Sequence, residues 1–498
     1  MIYVAQNKVI HTAVSAPGAG KTEAFISQLP ALLSAGHRIV LALPTKILSV
    51  DIVSRLPVGI DPCIINSDTC HPNPVGPELQ AALGSKANNL IITTHASIFA
   101  VQPNMLSGWM LVVDELPSVV ELTAHPFEPS ELAHLLVNTV EQDGSLHIRE
   151  GCADAIATSL KTFKAVSAGA ERTSMLSKEG AHIYTCLKGG NPVFIDSKMP
   201  NGNRYVRTIV EPNCWNTFTK AKEVHILTAN VSNTLFDEFA QAHGFTYAQS
   251  VFTPEFDGYN SPIKIYPVMP KGSRYSRTVA KRTTNGGSTT DQQKTHEPMV
   301  IDDILRAVLQ RTTGTPLLFS NKSWTSFWWL PKGAVHRCAI DSRGLNEYQG
   351  ETDAILLFGG NPSPSEKLAL EYLATKYSRD FRQAFVTTRL LEPSLQAATR
   401  TAVRVRGNTQ PITIFVQDER VADYLVKTYM PNAVIDWSFS HITPVKPDGR
   451  KVEDQRKPDV FALFEQNITS PTKISKITTV SRNTIPKWLK EWRSLKAA

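Results

Sequence analysis

The hydrophobic positions of the first quarter of the chain form short apolar runs separated by amphipathic stretches. The runs lie at residues 8–15, 38–43, 90–93 and 110–113. Amphipathic segments that begin at Lys21 and Thr45 separate the first three runs. Apolar strands that alternate with helices are typical of a parallel sheet covered on both faces. The pattern therefore predicts an α/β domain at the start of the chain.

A second series of the same kind begins near Met299. It consists of an amphipathic helix over 301–310 and apolar runs at 316–319, 354–358 and 412–416. The same reasoning predicts a second parallel-sheet domain over 299–445, which follows a first domain over 1–265. The segment 266–298 is basic and contains a Gly/Ser/Thr-rich patch, so we predict a linker there.

Residues 122–218 do not follow this alternation. Their pattern predicts helices at 129–140 and 153–165, and strands at 182–197 and 204–210 on either side of a Pro-Asn-Gly-Asn turn. A segment with mixed elements between two regular βα stretches is typical of an insertion. We therefore predict an insertion of about 122–218 in the first domain.

The tail over 455–498 has the pattern of three short helices, typical of a helix-turn-helix module. The last helix could begin at Ser481, which would put Pro486 inside it at a cost of about 3 kcal/mol. It could instead begin after Thr484 as a cap, with Pro486 in the first turn. In either case Arg482, Lys487 and Lys490 are candidates for contacts with DNA. A basic helix that binds a protein partner remains the alternative.

Composition excludes several classes of protein. Hydrophobic residues make up 42% of the 498 residues and charged residues 19%, which favours packed domains over a disordered chain. No apolar run is long enough for a membrane helix and the first residues lack a signal-peptide pattern, so we predict a cytoplasmic protein. The six cysteines lie far apart without a Cys-x-x-Cys pair, which argues against a zinc site or a disulfide framework.

The net charge of +7 is distributed unevenly. Residues 470–498 contain seven Lys/Arg and one acid, and residues 271–296 contain six Lys/Arg and one acid. Positive charge concentrated in two short segments is expected of a protein that binds an anionic polymer such as DNA. A solvated tail and a solvated linker would have the same pattern, so charge alone leaves both interpretations open.

The clearest motif is Ser-Ala-Pro-Gly-Ala-Gly-Lys-Thr at 15–22, between an apolar run and a helix. It predicts a phosphate-binding loop, in which backbone N–H groups surround the phosphates of ATP. Lys21 would reach the β- and γ-phosphates, and the hydroxyl of Thr22 would bind Mg²⁺. The other residues of the predicted nucleotide cradle are Ala16, Pro17, Gly18, Ala19 and Gly20.

Two adjacent carboxylates, Asp114 and Glu115, end the apolar run at 110–113. In a parallel sheet such a strand end lies at the same edge as the phosphate-binding loop. Asp114 would hold Mg²⁺ and Glu115 would act as the general base that activates water.

With these two motifs in order, the chain resembles a superfamily 2 (DEAD/DEAH-like) helicase. The resemblance implies two RecA-like domains, ATP hydrolysis and contacts to nucleic acid from several short motifs. Its strand-binding motifs correspond here to residues 43–46, 93–97 and 342–346, and Thr-Ala-Asn at 228–230 is similar to the motif that links the carboxylates to that surface. The implied nucleic-acid contacts are Thr45, Lys46, Thr94, His95, Arg343 and Asn346.

The segment 396–404 resembles the helicase motif that supplies arginine fingers. The resemblance implies that Arg400 stabilises the transition state of hydrolysis when the two domains close. A second arginine is expected three residues later, where Val403 stands. Arg404 is our preferred candidate, because Arg400 and Arg404 would share one face of a helix; Arg406 is the other candidate.

The resemblance implies an ATP-dependent helicase or translocase that unwinds DNA in replication or recombination, with RNA not excluded and replication proteins as possible partners. The insertion and the added tail are similar in layout to replication helicases of viruses and phages. Two alternatives stay open: a sequence-specific DNA-binding protein that ATP switches, and a DNA-packaging motor.

Overall fold

The computed structural model describes residues 8–167, 176–196, 202–283, 298–324, 327–341, 347–442, 456–478 and 480–497. The chain divides into two compact units, one that ends at Ser440 and one that begins at His441. Within the described ranges, no helix combines the length and the apolar character needed to cross a bilayer.

The first sheet has seven parallel strands in the order β12-β1-β11-β5-β2-β4-β3, numbered along the chain. These strands are β1 (Val9–Val14), β2 (Arg38–Leu43), β3 (Cys63–Ile64), β4 (Leu90–Thr94), β5 (Trp109–Asp114), β11 (Glu223–Thr228) and β12 (Thr246–Gln249). Its helices are α1 (Lys21–Ser34), α2 (Ile47–Ser54), α3 (Val75–Ser85), α4 (His95–Ala100), α8 (Cys214–Lys220) and α9 (Leu235–Ala242), with a 3-10 helix over Pro103–Leu106. Strands β2, β4 and β5 are buried almost throughout, as their unbroken apolar runs predict.

The register of this sheet brings three strand ends together. Val14 at the end of β1 pairs with Thr228 at the end of β11. On the other side of β11, Leu227 pairs with Asp114 at the end of β5. Because the strands are parallel, the loops that follow them leave the sheet at one edge.

An antiparallel sheet forms the core of the insertion, with strand order β6-β10-β9-β8-β7. Its strands are β6 (Glu121–Phe127), β7 (Thr139–Gln142), β8 (Ser145–Ile148), β9 (Val193–Ile195) and β10 (Arg204–Val210). Its helices are α5 (Pro129–Asn138), α6 (Ala153–Ser167) and α7 (Lys178–Lys188).

In the insertion, one element prediction is wrong, and one predicted helix is confirmed with an earlier end. The predicted strand at 182–197 is mostly helix α7, whose N-cap Ser177 accepts a hydrogen bond from the Gly180 N–H and whose Ile183 and Tyr184 face the core. The strand is limited to β9. The predicted helix at 129–140 ends at Asn138, because Thr139 and Val140 already pair with β8. The turn predicted at 200–203 lies partly outside the described residues.

The second sheet has six parallel strands in the order β15-β14-β16-β17-β13-β18. They are β13 (Ile263–Pro267), β14 (Leu317–Ser320), β15 (His336–Cys338), β16 (Asp353–Leu357), β17 (Ile412–Val416) and β18 (Val434–Ile435). Its helices are α10 (Arg277–Ala280), α11 (Val300–Leu309), α12 (Pro364–Tyr377), α13 (Arg382–Val386), α14 (Glu392–Ala398) and α15 (Glu419–Thr428), with a π-helix over Thr387–Leu391 and 3-10 helices over Ala402–Arg404 and Trp437–Phe439.

The predicted fold class, two parallel-sheet α/β domains with an insertion in the first, is confirmed. The boundary predicted at residue 265 falls inside β13, which belongs to the second sheet. We call the first sheet with its insertion the first lobe, and the part of the same compact unit from β13 onward the second lobe.

Helices α12 and α13 of the second lobe, which we call the arm, pack against the first lobe. Buried arm residues such as Leu373 and Phe381 belong to the same hydrophobic core as the first sheet. The arm also forms two ion pairs across the boundary, from Lys376 to Glu211 at 2.7 Å and from Arg379 to Glu238 at 2.6 Å. Burial of apolar side chains in a shared core stabilises this arrangement far more than the exposed parts of the ion pairs do.

The two connections of the arm to the second sheet touch each other. Gly360 lies between β16 and α12, and the π-helix follows α13. A Cβ atom on Gly360 would lie 2.4 Å from the carbonyl oxygen of Arg389 in that π-helix. Because the obstructing atoms are backbone, only glycine allows this close approach.

The second compact unit consists of three helices, α16 (Lys457–Glu465), α17 (Pro471–Thr478) and α18 (Ile485–Ala497). A small core joins them: Val460, Phe464, Ile474, Val480, Ile485 and Trp488. Pro486 is the second residue of α18, so the later of the two predicted helix starts is the observed one. This position avoids the loss of a helical hydrogen bond at proline.

Candidate nucleotide site

The segment between β1 and α1 is a tight loop that two glycines make possible. Gly18 and Gly20 have φ angles of 83° and 95°, in the left-handed region that favours glycine. Gly20 is the N-cap of α1, so the first N–H groups of that helix point toward the space in front of the loop. A helix N-terminus with such a loop before it is a ready anion-binding site.

Lys21 folds back over this loop. Its ammonium group donates hydrogen bonds to the carbonyl oxygens of Ser15 at 2.7 Å and Ala16 at 2.9 Å. Burial lowers the pKa of Lys21 to about 8, although the nearby carboxylates of Asp114 and Glu115 act in the opposite direction. A buried ammonium with a lowered pKa would be stabilised by an incoming anion.

The two carboxylates follow β5 at the same edge of the sheet. Asp114 is the last residue of β5, and its carbonyl oxygen lies 3.0 Å from Nε2 of His95. The Glu115 N–H donates to the carbonyl oxygen of Leu227 at 2.7 Å. Glu115 has a φ of 64°, a left-handed backbone that costs a non-glycine residue about 1–2 kcal/mol. Strain of this kind is often found at functional residues.

Two arginines approach the site from the second lobe, by a route that differs from the prediction. The prediction that Arg400 and Arg404 share a helix face is wrong, because α14 ends at Ala398 and Arg404 lies in the 3-10 helix that follows. That 3-10 turn nevertheless brings Arg404 onto the phosphate-binding loop. A Cβ on Gly18 would lie 2.9 Å from the Cβ of Arg404.

The loop lysine, the two carboxylates and the two arginines line one cavity of about 230 Å³ between the lobes. The predicted site residues that line it are Pro17, Gly18, Gly20, Lys21, Thr22, Asp114, Glu115, Arg400 and Arg404. Ala16 and Ala19 are buried in the loop behind it. The structure therefore brings together both predicted carboxylates, the loop lysine and both predicted arginines.

The electrostatics of this cavity suit an anion. Burial and, to a smaller extent, the charge of Arg404 lower the pKa of Arg400 to about 10, although Glu115 and Asp341 act in the opposite direction. Burial also lowers the pKa of Arg404. Three cationic groups in one buried space are each destabilised in the charged form, so a polyanion that enters the cavity would relieve this cost.

Two residues could be added to the predicted site: Arg55, which lines the cavity, and Tyr259, which contacts the phosphate-binding loop. Arg55, just after α2, lines it and forms ion pairs with Glu23 at 2.5 Å and Asp51 at 2.7 Å. The hydroxyl of Tyr259 donates to the carbonyl oxygen of Pro17 at 2.9 Å. The i,i+4 spacing of Asp51 and Arg55 was a usable signal. Tyr259 had none, since its contact crosses more than two hundred residues.

The predicted nucleic-acid contacts are spread over several places. Lys46 precedes α2, which begins at Ile47 rather than at Thr45 as predicted, and its ammonium pairs with Asp68 at 2.5 Å. Thr94 is the N-cap of α4, where its hydroxyl accepts a hydrogen bond from the Ser97 N–H. Arg343 and Asn346 lie outside the described residues. In the second compact unit the side chains exposed to solvent include Arg482, Lys487 and Lys490.

A second cavity of about 430 Å³ adjoins the first and shares Glu115, Thr228 and Gln396 with it. Its walls come from both lobes and include the loop that follows Glu115, and Glu392 of α14. The space between the lobes thus continues beyond the candidate phosphate site.

No protein-family model and no curated protein sequence matches this chain. Solved structures with a similar fold include S. tokodaii Xpd4, at 10% identity over 86% of this chain and 96% of that one with a TM-score of 0.49. An XPD helicase has 12% identity over 87% and 96%, with a TM-score of 0.45. S. cerevisiae Dbp5 bound to RNA and ADP BeF3 has 11% identity over 91% and 89%, with a TM-score of 0.36. These similarities concern the fold alone.

The lowered pKa of Lys21 predicts that nucleotide binding at this candidate site depends on pH. A triphosphate requires the ammonium form, so binding above pH 8 must take up a proton. We expect the dissociation constant for ATP to be nearly constant just below pH 8 and to rise above it, toward tenfold per pH unit. Titration of a fluorescent ATP analogue at a series of pH values measures this. An affinity that stays flat well above pH 8 would contradict the assignment.

The lowered pKa of Lys21 also affects the stability of the protein without bound nucleotide. Since the folded pKa lies below the unfolded value of 10.5, the charged form of Lys21 destabilises the fold at pH values below 8. This cost fades as the pH rises from 8 toward 10.5. Bound nucleotide removes it, so stabilisation by ATP should be largest below pH 8.

Proposed function

We propose that this protein is an ATP-dependent nucleic-acid helicase or translocase, with DNA as its main substrate. The observation that carries the proposal is the convergence of Lys21, Thr22 and Glu115 from the first lobe with Arg400 and Arg404 from the second on one buried cavity. A site assembled from two lobes makes hydrolysis depend on their arrangement. This dependence is what a motor needs in order to couple chemistry to movement.

In the proposed reaction, the loop N–H groups and Lys21 bind the phosphates of ATP. Thr22 and Asp114 would hold Mg²⁺, which would supply positive charge to neutralise the phosphates. Glu115 accepts a proton from the attacking water, and Arg400 with Arg404 stabilises the negative charge of the transition state. Arginine groups of this kind are worth about 10³ to 10⁵ in rate.

The nucleic-acid part of the proposal rests on separate observations. The carboxyl edge of the first sheet includes Thr45 and Lys46 after β2, and Thr94 and His95 at the junction of β4 and α4. These residues are proposed to contact the nucleic-acid strand. Arg343 and Asn346 would add contacts from the second lobe. The three-helix unit at the end of the chain presents Arg482, Lys487 and Lys490 to solvent and is proposed to bind duplex DNA as a helix-turn-helix module. A role in replication or recombination fits a motor with its own DNA-binding unit.

Replacement of Glu115 by Gln tests the chemistry. Gln keeps the size of the side chain but cannot accept the proton of water, so Glu115→Gln should lower the turnover number by about 10² to 10⁴-fold and leave ATP binding intact. Phosphate release and fluorescent-nucleotide titration measure the two quantities. An unchanged turnover number would show that Glu115 is not the general base.

The same assay with and without nucleic acid tests the motor. We expect the ATPase rate of the unaltered protein to rise when single-stranded or forked duplex DNA is added, and less with RNA. Stronger stimulation by RNA would overturn the choice of DNA. ATP binding without turnover in the unaltered protein would favour the ATP-switched DNA-binding protein instead.

Substitution of Arg482 and Lys487 tests the terminal unit. The double substitution Arg482→Ala with Lys487→Ala in the full chain should weaken binding to duplex DNA and reduce the salt dependence of the affinity by about two charges. The matched control is Lys264→Ala with Lys427→Ala, which removes two exposed lysines of the second lobe. Equal effects from both pairs would show that only net charge matters, contrary to the proposal.

A further inference from the structure

The 228–230 loop begins at the last residue of β11 in the first lobe, but the second lobe holds it. Ala229 is 2% exposed and belongs to the same hydrophobic core as second-lobe residues such as Ile263. Its carbonyl oxygen accepts a hydrogen bond of 2.6 Å from the hydroxyl of Tyr429, the residue that follows α15. One residue of the first lobe is therefore fixed in the interior of the second.

A second contact lies one residue further along this loop. The side-chain amide of Asn230 donates to the hydroxyl of Tyr424 at 3.1 Å, and that hydroxyl donates to the carboxylate of Glu392. Burial raises the pKa of Glu392 to about 7, while its hydrogen bonds to Tyr424 and Asn230 act in the opposite direction. The chain of contacts thus runs from the loop to α14, the helix that leads to Arg400.

The same loop touches the catalytic groups of the first lobe through backbone hydrogen bonds. The carbonyl oxygen of Thr228 accepts from the N–H of Ser15, at the start of the phosphate-binding loop, at 3.2 Å. The carbonyl oxygen of the preceding residue, Leu227, accepts from the N–H of Glu115 at 2.7 Å. A displacement of the loop would therefore act on the backbone of both Ser15 and Glu115.

We propose that Tyr424 and Tyr429 are positioning residues: they latch the 228–230 loop to the second lobe, so that the position of that lobe sets the placement of Glu115. The inference deepens the proposed ATPase function and rests on it. Neither tyrosine lines the nucleotide cavity, so neither is a catalytic residue. Their role is to transmit lobe movement to Glu115, whose backbone has the strained φ of 64°.

The test uses Tyr429→Phe and Tyr424→Phe in the full chain. Each change keeps the ring and removes only the hydroxyl, so the loop loses one anchor and the base is placed less well. We expect each variant to lower the turnover number with DNA present by roughly 3- to 10-fold, the range for one neutral hydrogen bond, and to leave the KM for ATP within about twofold. The ratio of DNA-stimulated to basal ATPase rate should fall as well.

The matched control is Tyr275→Phe. Tyr275 is a buried tyrosine of the second lobe whose hydroxyl has no hydrogen-bond partner among the described residues. Its loss should change neither the turnover number nor the stimulation ratio. The number of fluorescent nucleotides bound per protein is measured for every variant, so that a loss of folded protein is separated from a loss of positioning.

The outcomes separate the two proposals. If the unaltered protein does not hydrolyse ATP, the proposed function fails. Suppose that it does hydrolyse ATP. If Tyr429→Phe and Tyr424→Phe then have the same turnover number and the same stimulation ratio as Tyr275→Phe, the positioning role of the two tyrosines is wrong. A rise in KM without a change in turnover number would also overturn it, since that would place the tyrosines in nucleotide binding.

Discussion

The central constraint on this structure is that three cationic side chains are buried in one small space between the two lobes. Lys21, Arg400 and Arg404 face Asp114 and Glu115 there, and burial disfavours the charged form of each cation. Such a cluster is costly unless an anion completes it. A triphosphate has the charge and the shape that the loop, the helix N-terminus and the arginines together would stabilise. The rest of the architecture can be understood as the means of holding these groups in reach of one another.

Two features of the second lobe serve this purpose. The arm shares a hydrophobic core with the first lobe, so the lobes are joined by packing as well as by the chain. The two lobes are also joined beside the candidate nucleotide site. Tyr259 contacts Pro17 there, and Tyr424 and Tyr429 contact the 228–230 loop. The insertion takes part in the first of these junctions, because Phe194 of its sheet packs edge to face against Tyr372 of the arm with ring centroids 5.1 Å apart. We interpret the insertion as part of the support for the arm.

The sequence predicted the elements that depend on local pattern. Unbroken apolar runs identified β2, β4 and β5, and the glycines around Lys21 identified the phosphate-binding loop, because each signal lies within a few residues. Prediction failed where tertiary contacts determine the secondary structure. The alternation around Ile183 suggested a strand, but the Ser177 cap and packing on the insertion core make a helix.

The same limit applies to the site. Both carboxylates and both arginines could be found from motifs, but the helical argument for Arg404 was wrong, since α14 ends at Ala398, before either arginine. Tyr424 and Tyr429 could not be found, because their partners lie about 200 residues away in the chain. No local pattern distinguishes a tyrosine that joins two lobes from one that fills a core.

The most direct test of the central claim is a crystal structure with a non-hydrolysable ATP analogue and Mg²⁺. The account predicts that Lys21 and the Arg400 guanidinium contact the same triphosphate, each within hydrogen-bond distance of a phosphate oxygen. An analogue bound by the first lobe alone, with Arg400 out of reach of every phosphate, would contradict it.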